Sequence, residues 1–123
     1  MRIKRSRLKQ YSHRRAISKR DREGNSYTEY GPASSFMAEF WPAGGKLQAE
    51  IYGQRLSYIY NCRINGTYTV KVDDKGSVYY DYGEFAVTEG DGICLYASGD
   101  AEPDYKIIAI KPYKPLYMEI EKI

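Results

Sequence analysis

From Arg55 to Ile64 the chain alternates: Leu56, Tyr58, Tyr60, Cys62 and Ile64 fall on one side of an extended backbone, and Arg55, Ser57, Ile59, Asn61 and Arg63 on the other. Successive side chains of a strand point to opposite faces, so the pattern predicts a strand with one mostly apolar face. Asn65-Gly66 follows, the pair best suited to a two-residue hairpin turn because both residues tolerate positive φ. Tyr68, Val70 and Val72 then alternate with Thr67, Thr69 and Lys71. Residues 55–72 therefore read as an antiparallel β-hairpin. A slip of one residue would turn the apolar face to water. That costs about 1.5–3 kcal/mol per large side chain, so the register is firmly specified.

Other segments continue in the same style. Ala33–Trp41, with Phe36, Phe40 and Trp41, reads as a strand that Pro42-Ala43-Gly44-Gly45 stops. Val78–Tyr82, Ile93–Ala97, Tyr105–Lys111 and Leu116–Glu121 read as further short strands separated by Gly, Asp and Pro turns. Asp21–Pro32 is rich in turn residues and reads as a loop. Lys46–Tyr52 tolerates a helix that Gly53 could cap, but is too short to be stable alone. A flexible loop or short helix near residues 44–54 is expected. The whole predicts an all-β fold, a small antiparallel β-barrel or sandwich of six to seven short strands. A chain of 123 residues fits a single domain.

Charge divides this chain unevenly. Residues 1–22 hold ten Lys/Arg (Arg2, Lys4, Arg5, Arg7, Lys9, Arg14, Arg15, Lys19, Arg20 and Arg22) against one acid, a net of +9. The remainder holds nine Lys/Arg against 15 acids, a net of −6. The sequence thus predicts a basic N-terminal arm over 1–22, in which Gln10–Lys19 could form a charged edge strand, followed by a β-barrel domain over 23–123. Such an arm is either a solvated tail or a docking element for an anionic partner. The 14 tyrosines suit both half-buried sheet faces and interfaces.

Chemistry is hard to find. The one histidine, His13, lies in the basic stretch, remote in sequence from Cys62 and Cys94, and neither cysteine belongs to a C-x-x-C pair. Zinc spacing and a serine-type triad are both missing, and neither an enzymatic role nor a cofactor is expected. Cys62 falls on the apolar face of its strand, which favours a core role over nucleophile chemistry. A disulfide between the two cysteines stays open at this stage. With no signal-peptide pattern or membrane-length apolar run, an intracellular chain with reduced thiols is the simpler reading. Gly44-Gly45-Lys46 lacks the spacing and the Ser/Thr of a phosphate loop. Asp73, Asp74 and Glu84 could form an acid cluster, though acids in turns are usually just solvated.

Three stretches carry a resemblance: Met37 to Glu50 (MAEFWPAGGKLQAE), Glu89 to Cys94 (EGDGIC), and Pro103 to Ile108 (PDYKII). With the order of strands, residues 24–123 resemble the phage head–tail joining proteins, also called head-closure or stopper proteins. The resemblance implies a small β-barrel that forms a ring below the portal and adaptor, retains packaged DNA and offers a surface to the tail. It implies assembly in the host cytoplasm and residence in the neck of a virion or phage-like particle. It also implies that Gly44, Gly45, Lys46, Leu47, Gln48, Ala49, Glu50, Ile51, Tyr52, Gly53 and Gln54 form a channel or gating loop. Expected partners are the head–tail adaptor or portal complex, a tail or tail-completion protein, other copies in the ring, and packaged DNA contacted non-specifically, with no membrane; an isolated subunit could be monomeric. The alternative is a small non-specific nucleic-acid-binding barrel that uses the basic arm and exposed tyrosines.

Overall fold

The computed structural model describes residues 5–123. A short 3-10 turn, Arg5–Arg7, leads into β1 (Lys9–Arg20) and β2 (Ser26–Pro42). A helix, α1 (Lys46–Tyr52), and a 3-10 helix, Gly53–Tyr58, precede β3 (Ile59–Ile64). There follow β4 (Thr69–Val72), β5 (Val78–Asp81), β6 (Ala86–Val87), β7 (Gly92–Cys94), β8 (Tyr105–Lys111) and β9 (Leu116–Lys122). Six strands close into an antiparallel barrel in the order β1-β2-β3-β9-β8-β7, and β4-β5-β6 form a separate three-stranded sheet. Of the barrel or sandwich expected from the sequence, the barrel is the fold, with nine strands among the described residues where six to seven were expected.

Alternation explains which residues fill it. Cys62 and Ile64 of β3, Leu116, Met118 and Ile120 of β9, and Ile107 of β8 are all buried in one cluster. Cross-strand pairs such as Cys62 with Met118 and Tyr60 with Ile120 place these side chains on one face. The three-stranded sheet packs Tyr80 and Val87 against this core, together with Tyr68, Tyr82 and Phe85 from the adjoining loops. Tyr82 stacks on Phe85 with ring centroids 5.0 Å apart. Its buried hydroxyl has no hydrogen-bond partner among the described residues, and burial pushes its pKa up.

The hairpin expected over 55–72 is not formed. Residues 53–58 are a 3-10 helix, and β3 pairs with β2 and β9, not with β4. β4 pairs with β5 instead. Asn65 continues the ladder of β3 by donating its N–H to the Met37 carbonyl at 3.0 Å. After Gly66 (φ 113) the chain leaves for the second sheet. The physical reason is that alternation specifies one buried face, not a partner. Two long neighbours cover Cys62 and Ile64 better than the four-residue β4, whose Val70 and Val72 stay exposed.

The basic arm also needs correction. Lys9–Arg20 is neither an arm nor an edge strand of the barrel: it pairs with β2 along its length and with β7 through Ser12, His13 and Arg14. Residues 9–14 are barrel wall, with Tyr11 packed on the core and His13 buried. Asp21–Pro32 is a loop only to Asn25, because β2 begins at Ser26. The register shifts where Arg15 faces Gly31 and Pro32, so Pro32 sits at a bulge inside a strand rather than in a turn. Arg14 repairs the disturbed ladder: its guanidinium donates to the carbonyls of Gly31 (2.7 Å), Tyr30 (3.1 Å) and Ala101 (2.8 Å). Beyond the barrel, Ile17–Arg20 and Ser26–Glu29 pair only with each other, and every residue from 17 to 29 is exposed. The result is a two-stranded ribbon projecting from the wall. Arg2 and Lys4 lie outside the described residues.

Candidate functional site

The segment expected to act as a gate, Gly44 to Gln54, is an α-helix flanked by two glycines and continued by a 3-10 turn. Gly45 (φ 89) and Gly53 (φ 57) bracket it in conformations that other residues rarely adopt. A seven-residue helix cannot persist by propensity alone, so something must hold it. No residue of α1 is buried, and what holds it is polar. Gln48 Nε2 donates to Glu119 Oε2 (2.6 Å) and to Asn61 Oδ1 (2.7 Å). Gln48 Oε1 accepts from Asn61 Nδ2 (3.2 Å) and from the Gly44 N–H (3.0 Å). One turn on, the Tyr52 hydroxyl donates to Glu119 Oε1 at 3.1 Å, and the Tyr117 hydroxyl donates to Asn61 Oδ1 at 2.8 Å.

Asn61 and Glu119 come from the outward positions of β3 and β9, directly paired across the ladder. Helix α1 covers them, which is why two polar residues on the barrel exterior are buried. Burial, with the Glu119 carboxylate adjacent, pushes both Tyr52 and Tyr117 up to about 12. Arg55 then ties the 3-10 helix down with two 2.7 Å bonds to Glu121, and its guanidinium holds that carboxyl below the usual range.

The helix is therefore seated the opposite way from an ordinary amphipathic helix. Its barrel side carries Gln48 and Tyr52, four residues apart, while Leu47 and Ile51, also four apart, are 69% and 61% exposed. Gln48→Ala would leave Asn61 and Glu119 without their shared partner, at a cost of about 1–3 kcal/mol. The expected result is earlier tryptic cleavage after Lys46 and Arg55 than elsewhere in the barrel, read by mass spectrometry of a timed digest. An unchanged order of cleavage would show that Gln48 does not anchor the helix.

Beside α1 lies a groove of about 350 Å³. Leu47 and Ile51 form one wall, Tyr113, Lys114 and Pro115 of the β8–β9 turn form the other, and Arg63, Lys111, Tyr117 and Glu119 line the remainder. Arg63 lies over the Trp41 ring at 5.1 Å and Lys111 over the Tyr117 ring at 5.6 Å. This grouping is not legible along the chain, because Arg63 comes from β3 while Lys111 and Lys114 come from the end of β8 and the turn after it. The only available signal was that the outward positions of β3 and β9 read Asn61, Arg63, Tyr117 and Glu119 rather than a run of lysines and glutamates.

Among the described residues, several of the cations expected to contact DNA are already engaged within the chain. Arg14 is spent on backbone carbonyls, Arg7 lies 3.5 Å from Glu39, and Lys19 pairs with Glu29 across the ribbon. Arg5, Lys9, Arg15, Arg20 and Arg22 are exposed. Strand pleating sends Lys19 and Arg20 to opposite faces.

Both cysteines are buried free thiols, and burial pushes Cys62 well up. Among the described residues, no three His, Cys, Asp or Glu side chains are grouped to hold a metal ion, and no helix is long and apolar enough to cross a membrane. Asp73, from the expected acid cluster, caps its own turn by accepting from the Lys75 and Ser77 N–H groups. No protein-family model matches the chain, and no curated protein or solved structure is significantly similar to it.

Proposed function

We propose that this chain is a structural neck protein of a phage or phage-like particle. In this reading it is a head-closure subunit that joins head to tail, stands in a ring below the portal and adaptor, and helps to retain packaged DNA. The observation that carries the reading is the way α1 is mounted. A closed barrel has no free sheet edges and serves as a rigid body. On it sits a short helix held by a few polar bonds, with its apolar pair Leu47 and Ile51 facing outward. Loops on a rigid scaffold are where contacts and movement concentrate. The glycines at 45 and 53 supply the backbone freedom that a segment moving as a unit needs. The ribbon over 17–29 gives a second projecting element, and exposed Arg5, Lys9, Arg15, Arg20 and Arg22 can meet phosphates without reading sequence.

The test is made in particles produced by cells that encode the chain. Leu47→Asp combined with Ile51→Asp changes only exposed positions, so the barrel should fold. Electron microscopy of the variant particles is expected to show heads that have lost their DNA or lack tails. Full, tailed particles at the normal frequency, or purified particles that do not contain the chain at all, would remove this reading.

A further inference from the structure

We infer that the groove between α1 and the β8–β9 turn is a docking site for an acidic, leucine- or isoleucine-bearing peptide segment of another protein. The inference concerns the isolated chain and does not depend on the neck reading. Its first support is charge. Arg63, Lys111 and Lys114 converge on one small groove, and none of the three belongs to an ion pair within 4.0 Å among the described residues. Arg55, on the 3-10 helix that follows α1, is by contrast paired with Glu121. The single carboxylate in the groove, Glu119, is buried and already accepts from Gln48 and Tyr52. Carboxylates on an incoming segment would complete the three cations.

The second support is the wall that faces them. Leu47 and Ile51 are aliphatic, one helical turn apart and open to solvent. Removing them from water is favourable at about 25 cal/mol per Å² of apolar surface, and branched aliphatic side chains of a peptide fit them better than nucleobases do. Nucleic acid is disfavoured for a further reason. Single strands stack successive bases on free aromatic faces, but in this lining the Tyr117 ring already lies under Lys111, which leaves Tyr113 as the one largely exposed ring, too little for a stacking platform. A peptide needs no such faces. Its apolar side chains would meet α1 while its carboxylates reach across to the strands.

The test uses the full chain immobilised against an mRNA-displayed library of random peptides. The expected selection is enriched in Asp or Glu interspersed with Leu or Ile. Lys111→Glu with Lys114→Glu, both exposed, should weaken the selected peptides at least about tenfold, as should Leu47→Asp with Ile51→Asp. Arg63→Glu, made separately, gives an independent reading, and circular dichroism confirms that each variant is folded. Selection of basic or purely apolar sequences, or of nothing, would overturn the assignment. So would acidic peptides whose binding ignores all three variants, tighter binding of oligo(dT) to the same groove, or self-association of the chain that the groove substitutions abolish.

Discussion

Asp91→Ala is expected to lower stability by about 3–5 kcal/mol, because it leaves several buried donors without their acceptor at about 1–3 kcal/mol each. Asp91 is almost wholly buried, and its carboxylate ties its own loop to β1, 75 or more positions earlier in sequence. Oδ2 accepts from His13 Nε2 at 2.7 Å and from the Thr88 N–H at 3.1 Å. Oδ1 accepts from the Ala16 N–H at 3.0 Å, next to the bulge in the β1–β2 ladder. The backbone of the same residue bonds to β8, where the Ile107 N–H donates to the Asp91 carbonyl at 2.9 Å. A carboxylate only accepts, so the ring nitrogen of His13 must carry the hydrogen between them. Truncation to Ala leaves two backbone N–H groups and one imidazole N–H in a site that water reaches poorly. Since a domain of this kind has about 5–15 kcal/mol in total, the variant should melt more than about 10 °C below the parent. Asp91→Asn keeps the shape but has only one acceptor oxygen for three donors, so it should fall between the two. Thermal melts followed by circular dichroism decide the matter. A loss for Asp91→Ala of no more than about 0.5 kcal/mol, typical of a surface site, would mean that the carboxylate does not hold the barrel closed.

This network shows where sequence reasoning stops. The Gly90-Asp91-Gly92 run reads only as a turn before a strand, and His13 reads only as part of a basic stretch. Their pairing is set by barrel closure between β1 and β7, which joins residues 78 positions apart. Where a strand is bounded by strong turn signals and has a clear alternation, the reading survives. β8 spans Tyr105–Lys111 as expected, and β9 ends only one residue beyond its expected limit. Pairing is less legible than existence. Residues 60–64 do turn Cys62 and Ile64 inward, yet Asn65-Gly66 does not close a hairpin, because a local turn preference of a few tenths to one kcal/mol yields to burial between two longer strands.

Charge misled in a similar way. A strand can hold Lys9, Arg14, Arg15, Lys19 and Arg20 and still form barrel wall, provided that Tyr11 and His13 point inward and the cations point out or satisfy carbonyls. The helical character of 46–52 was visible in Leu47, Gln48, Ala49 and Glu50. Its inverted seating was not, because that depends on Asn61 and Glu119, outward residues of two distant strands.

Gly92→Ala is expected to cost about 3 kcal/mol, the upper part of the range for overpacking a filled site. The cause is close approach rather than a special backbone angle. A Cβ at residue 92 would overlap the Pro103 ring, lying 2.7 Å from Pro103 Cβ, and would come within 2.9 Å of Tyr30 Cε1. Neither neighbour yields easily: Pro103 is buried and its ring is rigid, and Tyr30 is held in β2 at the bulge. Nor can Gly92 retreat, because it pairs with Arg14 on one side and Lys106 on the other. Gly44→Ala is the control. It has no heavy atom within 4 Å of the new methyl, and reduced freedom of the unfolded chain should make it neutral or stabilising by up to about 1 kcal/mol. Urea unfolding of both variants measures the contrast. Combining Gly92→Ala with Pro103→Ala should recover part of the loss, with an interaction energy of about 1 kcal/mol or more in a double-mutant cycle. Strict additivity of the two substitutions would show that the proline ring is not what excludes a side chain at residue 92, and that the seam where β7 enters the barrel is looser than its geometry indicates.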